Sequence, residues 1–220
     1  MSVISWPFSF PAKEALLFPI FLKLAGRRCL VVGAGRIAEA KIESLLTTGA
    51  QVHVVAPRGT QTVQRWARDE RISWAARAFE PADLEQVSLV ITATGCETVN
   101  QQIFREACAR GILCNSADDP EHCNFYCSAV VRRGPLQIAI STGGNSPALA
   151  QRLRQELEAH FAPEYGDWVR SLGEARGAVF AQTLSPQQRR GWLHSIASDW
   201  NFQRFRRRNR RVLGGGKSSR

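Results

Sequence analysis

Short apolar runs alternate with segments of helical period along the first half of the chain. CLVVGAG (29–35) is apolar and closes on glycine. RIAEAKIESLLTTGA (36–50) then places Ile37, Ala38, Ile42, Leu45 and Leu46 at helical spacing, with Gly49 as a stop. QVHVVAP (51–57) is β-branched and ends at proline. ISWAARAF (72–79) reads as a third strand, LVITAT (89–94) as a fourth and GILCNSAD (111–118) as a fifth, while VNQQIFREACARG (99–111) predicts the helix between the last two. This alternation predicts an α/β architecture, a parallel sheet with crossover helices. CLVVG and LVITA show no polar alternation, as strands covered on both faces do.

Beyond residue 120 the pattern changes. FYCSAVVRRGPLQIAISTGG (125–144) predicts two strands joined at RRGP. SPALAQRLRQELEAHF (146–161) predicts a helix with Ser146 at its N-cap and Pro147 in its first position. Residues 163–200 also read as helical, with Trp168, Trp192 and Trp200 available for packing. The organisation expected is an extension over 1–17, a nucleotide-binding domain over 18–117, a small central segment over 118–147, a helical domain over 148–200 and a basic, disordered tail over 201–220.

Charge supports that last boundary. The chain has 220 residues and a net charge of +10, and eight basic residues with no acid fall within 201–220. Such a tail offers little apolar surface and is expected to stay solvated rather than to bind nucleic acid. Two early prolines and no basic residue before the first apolar stretch argue against a secretory signal. No apolar run reaches the ~18 residues of a membrane span. Six cysteines without framework spacing suit reduced thiols and a cytoplasmic protein.

Three stretches carry candidate chemistry. GAGRIA sets Gly33, Gly35 and Ala38 between a strand and a helix. Gly33 permits a tight turn, Gly35 lets the backbone approach a pyrophosphate, and Ala38 keeps the helix close to the sheet. The helix start supplies N–H groups to the phosphates. The acid that would bind adenosine ribose hydroxyls is missing after the second strand, where Ala56, Pro57 and Arg58 stand. Arg58 suits a 2′-phosphate, or else stacks on adenine or faces solvent, so the residues leave NAD and NADP open.

The second stretch is LCNSADDPEHCNF (113–125), at the carboxyl edge of the sheet where ligands of such folds bind. Asp118 and Asp119 point differently, so one at most enters the cleft, and an ordinary Asp-Asp-Pro turn is the competing explanation. The third is STGGNSP (141–147). Ser141 and Thr142 bring hydroxyls, Gly143 and Gly144 allow close approach, and the helix beginning at Ser146 suits an anion. Cys114, His122, Cys123 and Cys127 do not have structural-zinc spacing, so no metal site is expected.

Taken in order, FPIFLKLAGRRCLVVGAGRIAEAK, GAQVHVVAP, VITATGCETVNQQIFREA, LCNSADDPEHCNF and LQIAISTGGNSPALAQRLRQELE resemble the precorrin-2 dehydrogenase family, the dehydrogenase and ferrochelatase portion of siroheme synthases. The resemblance spans roughly 18–161. It implies a Rossmann-like parallel sheet, a small dimerisation segment and a C-terminal helical domain, assembled as a homodimer. It implies NAD-dependent oxidation of precorrin-2 to sirohydrochlorin, with Fe2+ insertion to give siroheme in some members. The family pattern Asn-x-x-Asp-x-Pro matches Asn115, Asp118 and Pro120, which makes Asp118 the catalytic aspartate and Asn115 a substrate contact. Arg36, Ile37, Pro57, Arg58 and Thr94 carry over as cofactor contacts beside Gly33 and Gly35. Ser141, Thr142, Gly143, Gly144 and Ser146 are expected to bind substrate. Gly95 and Cys96 stand where many members have acids. Relatives carry a methyltransferase domain downstream, and a chain of this length is expected to leave methylation to another protein. A rival reading is a non-catalytic dinucleotide sensor whose basic tail binds a partner.

Overall fold

The computed structural model describes residues 16–117 and 119–214, with side chains as far as residue 209. Asp118, most of the expected N-terminal extension and residues 215–220 lie outside the described residues. The chain divides into two compact units, Met1–Cys127 and Ser128–Arg220.

In the first unit five strands, β1 (Arg28–Val32), β2 (Gln51–Val55), β3 (Ser73–Ala75), β4 (Leu89–Thr92) and β5 (Leu113–Ser116), form one sheet in the order β3-β2-β1-β4-β5. Every pairing is parallel. The crossovers are α1 (Arg36–Leu46), α2 (Gln61–Arg68), a short 3-10 turn at Pro81–Leu84 and α3 (Glu97–Ala109). Strand alternation divides the core. Cys29 and Val31 of β1 face a cluster with Ala38, Ile42, Val63 and Trp66 of α1 and α2. Leu30 and Val32 face Leu84, Ile103 and Ala107 on the side of α3. Both faces are therefore buried, which is why β1 and β4 read as unbroken apolar runs. α2 has no counterpart in the sequence-based reading. Only Val63 and Trp66 mark its buried face, and the Thr60 hydroxyl caps it by accepting from the Val63 N–H at 3.2 Å.

Strand order reverses between β1 and β4, so the crevice of a doubly wound sheet opens at their carboxyl ends. There Gly33 takes φ 111° and its N–H donates to Val55 O at 2.9 Å, while the Ala93 N–H donates to Val32 O at 2.8 Å. The loops after three neighbouring strands are thus locked together beside the start of α1.

The second unit begins with an antiparallel pair, β6 (Ala129–Arg133) and β7 (Leu136–Ile140), closed by Gly134 at φ 55° and Pro135. Four helices follow: α4 (Pro147–His160), α5 (Glu164–Phe180), α6 (Pro186–Ile196) and α7 (Asp199–Gly214). Arg133 closes the end of α4 by donating to the carbonyls of Phe161 at 2.6 Å and Glu158 at 2.8 Å. Gly166 lets α5 approach the strand pair, for a Cβ there would sit 3.0 Å from Arg133 O.

The expected disordered tail over 201–220 needs correction, because residues 201–214 continue helix α7. Phe202 is only 5% exposed. Its ring lies 4.1 Å from that of Tyr165, and Phe205 lies 5.1 Å from Trp168. Aromatics at i and i+3 give the arginine-rich segment a packed face, which charge counting alone conceals. Among the described residues no helix is long and apolar enough to cross a membrane.

Candidate functional site

The glycine loop owes its shape to two glycines with different surroundings. A Cβ on Gly33 would lie 2.2 Å from Ala93 O and 2.6 Å from its carbonyl carbon, so nothing but hydrogen fits. A Cβ on Gly35 would meet nothing within 4 Å. Gly35 is also the N-cap of α1, where no side chain caps the helix. The first-turn N–H groups of α1 are thus left without a side-chain cap and carry the positive end of the helix dipole. Ile37 is 50% exposed and forms an apolar wall of the adjoining cleft.

That cleft has a volume of about 750 Å³. Ile37, Ala93, Gly95, Asn100 and Ala117 line it together with three acids, Glu97, Asp119 and Glu121. Thr94 ties its rim: the hydroxyl donates to Asn100 Oδ1 at 2.7 Å and accepts from the Cys96 N–H at 3.1 Å. At the end of β2, Pro57 and Arg58 are exposed. The loop they belong to is held by Trp74, whose indole N–H donates to Ala56 O at 3.0 Å, and by the Thr60 N–H, which donates to Ala34 O at 3.0 Å. Trp74, Asn100 and Thr60 carry no motif and escape sequence reading; only their partners reveal them.

The acidic turn is anchored on both sides of Asp118. The Ala117 N–H donates to Thr92 O at 2.8 Å. The Ser116 N–H donates to the Cys123 sulfur at 3.2 Å, and that thiol reaches back to Ser116 O at 3.3 Å and Asp119 O at 3.2 Å. The Asp119 carboxylate meets His122 Nδ1 at 2.7 Å, and the imidazole stands edge-on to Phe104. Asn115, expected to touch substrate, is buried. Its amide donates to Phe125 O at 2.9 Å and to the Cys123 sulfur at 3.3 Å, while its oxygen accepts from the Cys127 thiol at 3.6 Å. It fastens residues 123–127 to β5, so this stretch belongs to the first unit. Cys114 is sealed in the core, where burial pushes its thiol up to about 12.

The loop at 141–146 belongs to the second unit and shapes itself. Ser141 Oγ accepts from the Gly143 N–H at 3.2 Å, Thr142 Oγ1 from the Ser146 N–H at 3.1 Å, and Ser146 Oγ from the Leu149 N–H at 3.2 Å. Gly143 at φ 63° and Gly144 at φ 86° make the turn. Each hydroxyl that accepts here still has a proton to donate.

A dinucleotide cradle joined to an acid-bearing turn matches a known pattern. Residues 20–129 match a family model described as NAD(P)-binding, and residues 133–160 match one described as sirohaem biosynthesis protein, central. The chain belongs to this NAD(P)-binding family. It is 43% identical over 172 residues to a siroheme synthase of Methylobacillus flagellatus, covering 78% of this chain and 37% of that protein. It is 39% identical over 182 residues to siroheme synthase 2 of Klebsiella pneumoniae, covering 82% and 40%. The chain thus spans well under half the length of these relatives. The solved structure of SirC, precorrin-2 dehydrogenase, superposes with a TM-score of 0.71 at 27% identity, covering 87% of this chain and 98% of that one.

The residues present fit a dinucleotide of the NAD(P) class. The space over Gly35 is what a pyrophosphate needs, and the uncapped start of α1 supplies its donors. Gly33, Gly35, Pro57, Arg58 and Thr94 lie on loops that follow β1, β2 and β4, and Arg36 and Ile37 open α1 at the same edge of the sheet.

Proposed function

We propose that this protein oxidises precorrin-2 to sirohydrochlorin in siroheme biosynthesis. The observation that carries this reading is the acid turn at the end of β5, opening on the same cleft as the dinucleotide cradle, in a fold that follows a precorrin-2 dehydrogenase along nearly its whole length. Bound NAD+ supplies the hydride acceptor. The α1 N–H groups, with Gly33 and Gly35, would hold its pyrophosphate, and Pro57, Arg58, Ile37 and Thr94 would be its further contacts. Oxidation removes a hydride and a proton from the macrocycle; Asp118 takes the proton. Asp119 is committed to His122 and acts as a brace for the turn. Asn115 positions the turn from behind, and Ser141, Thr142, Gly143, Gly144 and Ser146 receive substrate carboxylates. The same Asp118 accepts pyrrole protons when Fe2+ enters as a second substrate.

The working form proposed is a cytoplasmic homodimer, paired through the central segment over 118–147. Leu16 and Phe18 lie outside that segment, and as 97% and 86% exposed large apolar side chains they offer further surface for association. Light scattering at graded protein concentrations tests it; a monomer at assay concentrations refutes it.

The decisive experiment is anaerobic incubation with precorrin-2 and either NAD+ or NADP+, following reduced cofactor at 340 nm and sirohydrochlorin by its own absorbance. Asp118→Asn is expected to lose on the order of 10²–10⁴-fold in turnover with NAD+ affinity kept, the usual share of a positioned base. Asp119→Asn is expected to lose less. Wild-type turnover in Asp118→Asn removes that residue from the mechanism.

A further inference from the structure

We propose that the outer face of α7 is a capture surface for polycarboxylate tetrapyrroles, which draws the substrate of the reaction proposed above onto the protein. It rests on that reading for the identity of the ligand, while its physical grounds are independent.

The charge is partitioned by unit. The first unit carries thirteen basic and thirteen acidic side chains, and the second carries sixteen and six. The entire excess of +10 therefore belongs to the second unit. The cleft of the first unit presents Glu97, Asp119 and Glu121, and among the described residues no basic side chain lines it. A macrocycle fringed with carboxylates finds little attraction in that lining.

α7 carries that charge on a fixed frame. Phe202 and Phe205 pack against Tyr165 and Trp168, and Arg206 turns toward Glu164 at 3.5 Å. Trp200, Arg204, Arg207 and Arg208 remain exposed. Their spacing, i, i+4, i+7 and i+8, sets them on one face. The Arg204 guanidinium lies 5.5 Å over the Trp200 ring. Among the described residues, none of Arg204, Arg207 and Arg208 has an ion-pair partner.

Two bland explanations fall short. A solvated helix gains by interleaving acids, as α4 does with its Arg152–Glu156 and Arg154–Glu158 pairs, whereas arginines three and four apart repel. The helix dipole favours cations only in the last turn, and these three arginines precede it. An exposed indole beside several guanidinium forks suits a flat ring with peripheral carboxylates: the ring stacks, and the carboxylates take paired N–H donors. Concentrated positive charge also raises the encounter rate with a polyanion, by roughly 10–10³-fold at low salt.

The test uses the whole chain, the variant Arg204→Gln/Arg207→Gln/Arg208→Gln and the same triple change to lysine, with circular dichroism to verify α7. Uroporphyrin and its full methyl ester are titrated by tryptophan quenching at low and high salt, and kcat and KM for precorrin-2 are measured in parallel. The wild type is expected to bind uroporphyrin, to ignore the ester and to weaken steeply with salt. The glutamine variant is expected to bind on the order of ten-fold more weakly and to lose a similar factor in kcat/KM at low salt, the loss appearing in KM. The lysine variant is expected to keep most of both. Equal binding and equal salt slopes in wild type and glutamine variant overturn the proposal. So does a single-stranded oligonucleotide that displaces uroporphyrin at far lower concentration, which assigns the face to nucleic acid. Capture of uroporphyrin without oxidation of precorrin-2 refutes the reaction and leaves the surface standing. Oxidation with unchanged salt dependence in the glutamine variant does the reverse.

Discussion

Alanine at Gly33 and at Gly35 should give opposite phenotypes, although the two glycines stand only two residues apart. At Gly33 the new Cβ would be 2.2 Å from Ala93 O, more than an ångström inside ordinary contact, and the obstacle is backbone on both sides. φ 111° adds strain of ~1–3 kcal/mol for an L side chain. Relief requires the ends of β1 and β4 to part, which disturbs the bond from the Ala93 N–H to Val32 O. A loss of about 3–5 kcal/mol follows when that bond, worth ~1 kcal/mol, and local packing are added. For a unit of this size each kcal/mol moves Tm by roughly 4 °C, so Gly33→Ala should melt about 10–20 °C lower. At Gly35, φ −81° suits any residue and a Cβ has 4 Å of free space. Losing a glycine N-cap costs on the order of 0.5–1 kcal/mol, so Gly35→Ala should melt within a few degrees of wild type. Its methyl group, however, would enter the space the proposed cradle offers a pyrophosphate. NAD+ affinity should fall on the order of ten-fold or more, about 1.4 kcal/mol. Thermal melts and calorimetric NAD+ titrations separate the cases. Wild-type NAD+ affinity in Gly35→Ala refutes the cradle, and a wild-type melting point in Gly33→Ala refutes the packing of the turn.

Cys123→Ser should keep the turn at residues 116–119, because a hydroxyl replaces the thiol's bonds; Cys123→Val should strand the Ser116 N–H, cost ~1–3 kcal/mol in a melt and lower kcat while NAD+ affinity holds. Phe202→Ala should lose ~3–5 kcal/mol of the second unit's stability and much of the helical signal of α7, and an unchanged spectrum would show that the aromatic face does not hold the helix. His53 should make the protein sensitive to mild acid: burial first, and the nearby Arg28 charge second, hold its imidazole below the usual range, beside the Ser73 hydroxyl. As pH falls through ~6.5 the unfolded chain takes up this proton before the folded one, so stability present at neutral pH declines until the folded imidazole also titrates. His53→Val should flatten that part of the curve in pH-dependent melts.

Much of this architecture is written locally. β1, β2, β4 and β5 are apolar runs whose length and glycine or proline endings identify them, and α1 and α3 carry full helical periods. α2 does not, because eight residues with only Val63 and Trp66 pointing inward cannot establish a period. The glycine loop was legible because its demands fall on consecutive residues. Asn115 was not, since its partners at Phe125, Cys123 and Cys127 come from a later loop and only the folded chain brings them to β5. The arginine-rich segment misleads for a different reason. Its charge is visible in any count, whereas Phe202 and Phe205 acquire meaning only once Tyr165 and Trp168 stand opposite.

The acidity of the cleft makes chemical sense if it is built for proton acceptance and not for anchoring. A carboxylate among carboxylates is a better base, because each neighbouring negative charge favours the protonated form. Glu97, Asp119 and Glu121 line the same cleft as the turn that carries Asp118, and the Asp119 carboxylate is held against His122. The same charges would repel a polycarboxylate if binding depended on this lining alone. Under the capture proposal the conflict is resolved by placing the attractive charge in a separate unit: the neutral unit would set proton affinity and cofactor geometry, and the cationic unit would set the encounter. The two functions then answer to different variables. Turnover at saturation should follow pH and the acid turn, while kcat/KM should follow ionic strength and the arginine face. A protein in which salt altered kcat and left kcat/KM unchanged would not be divided in this way.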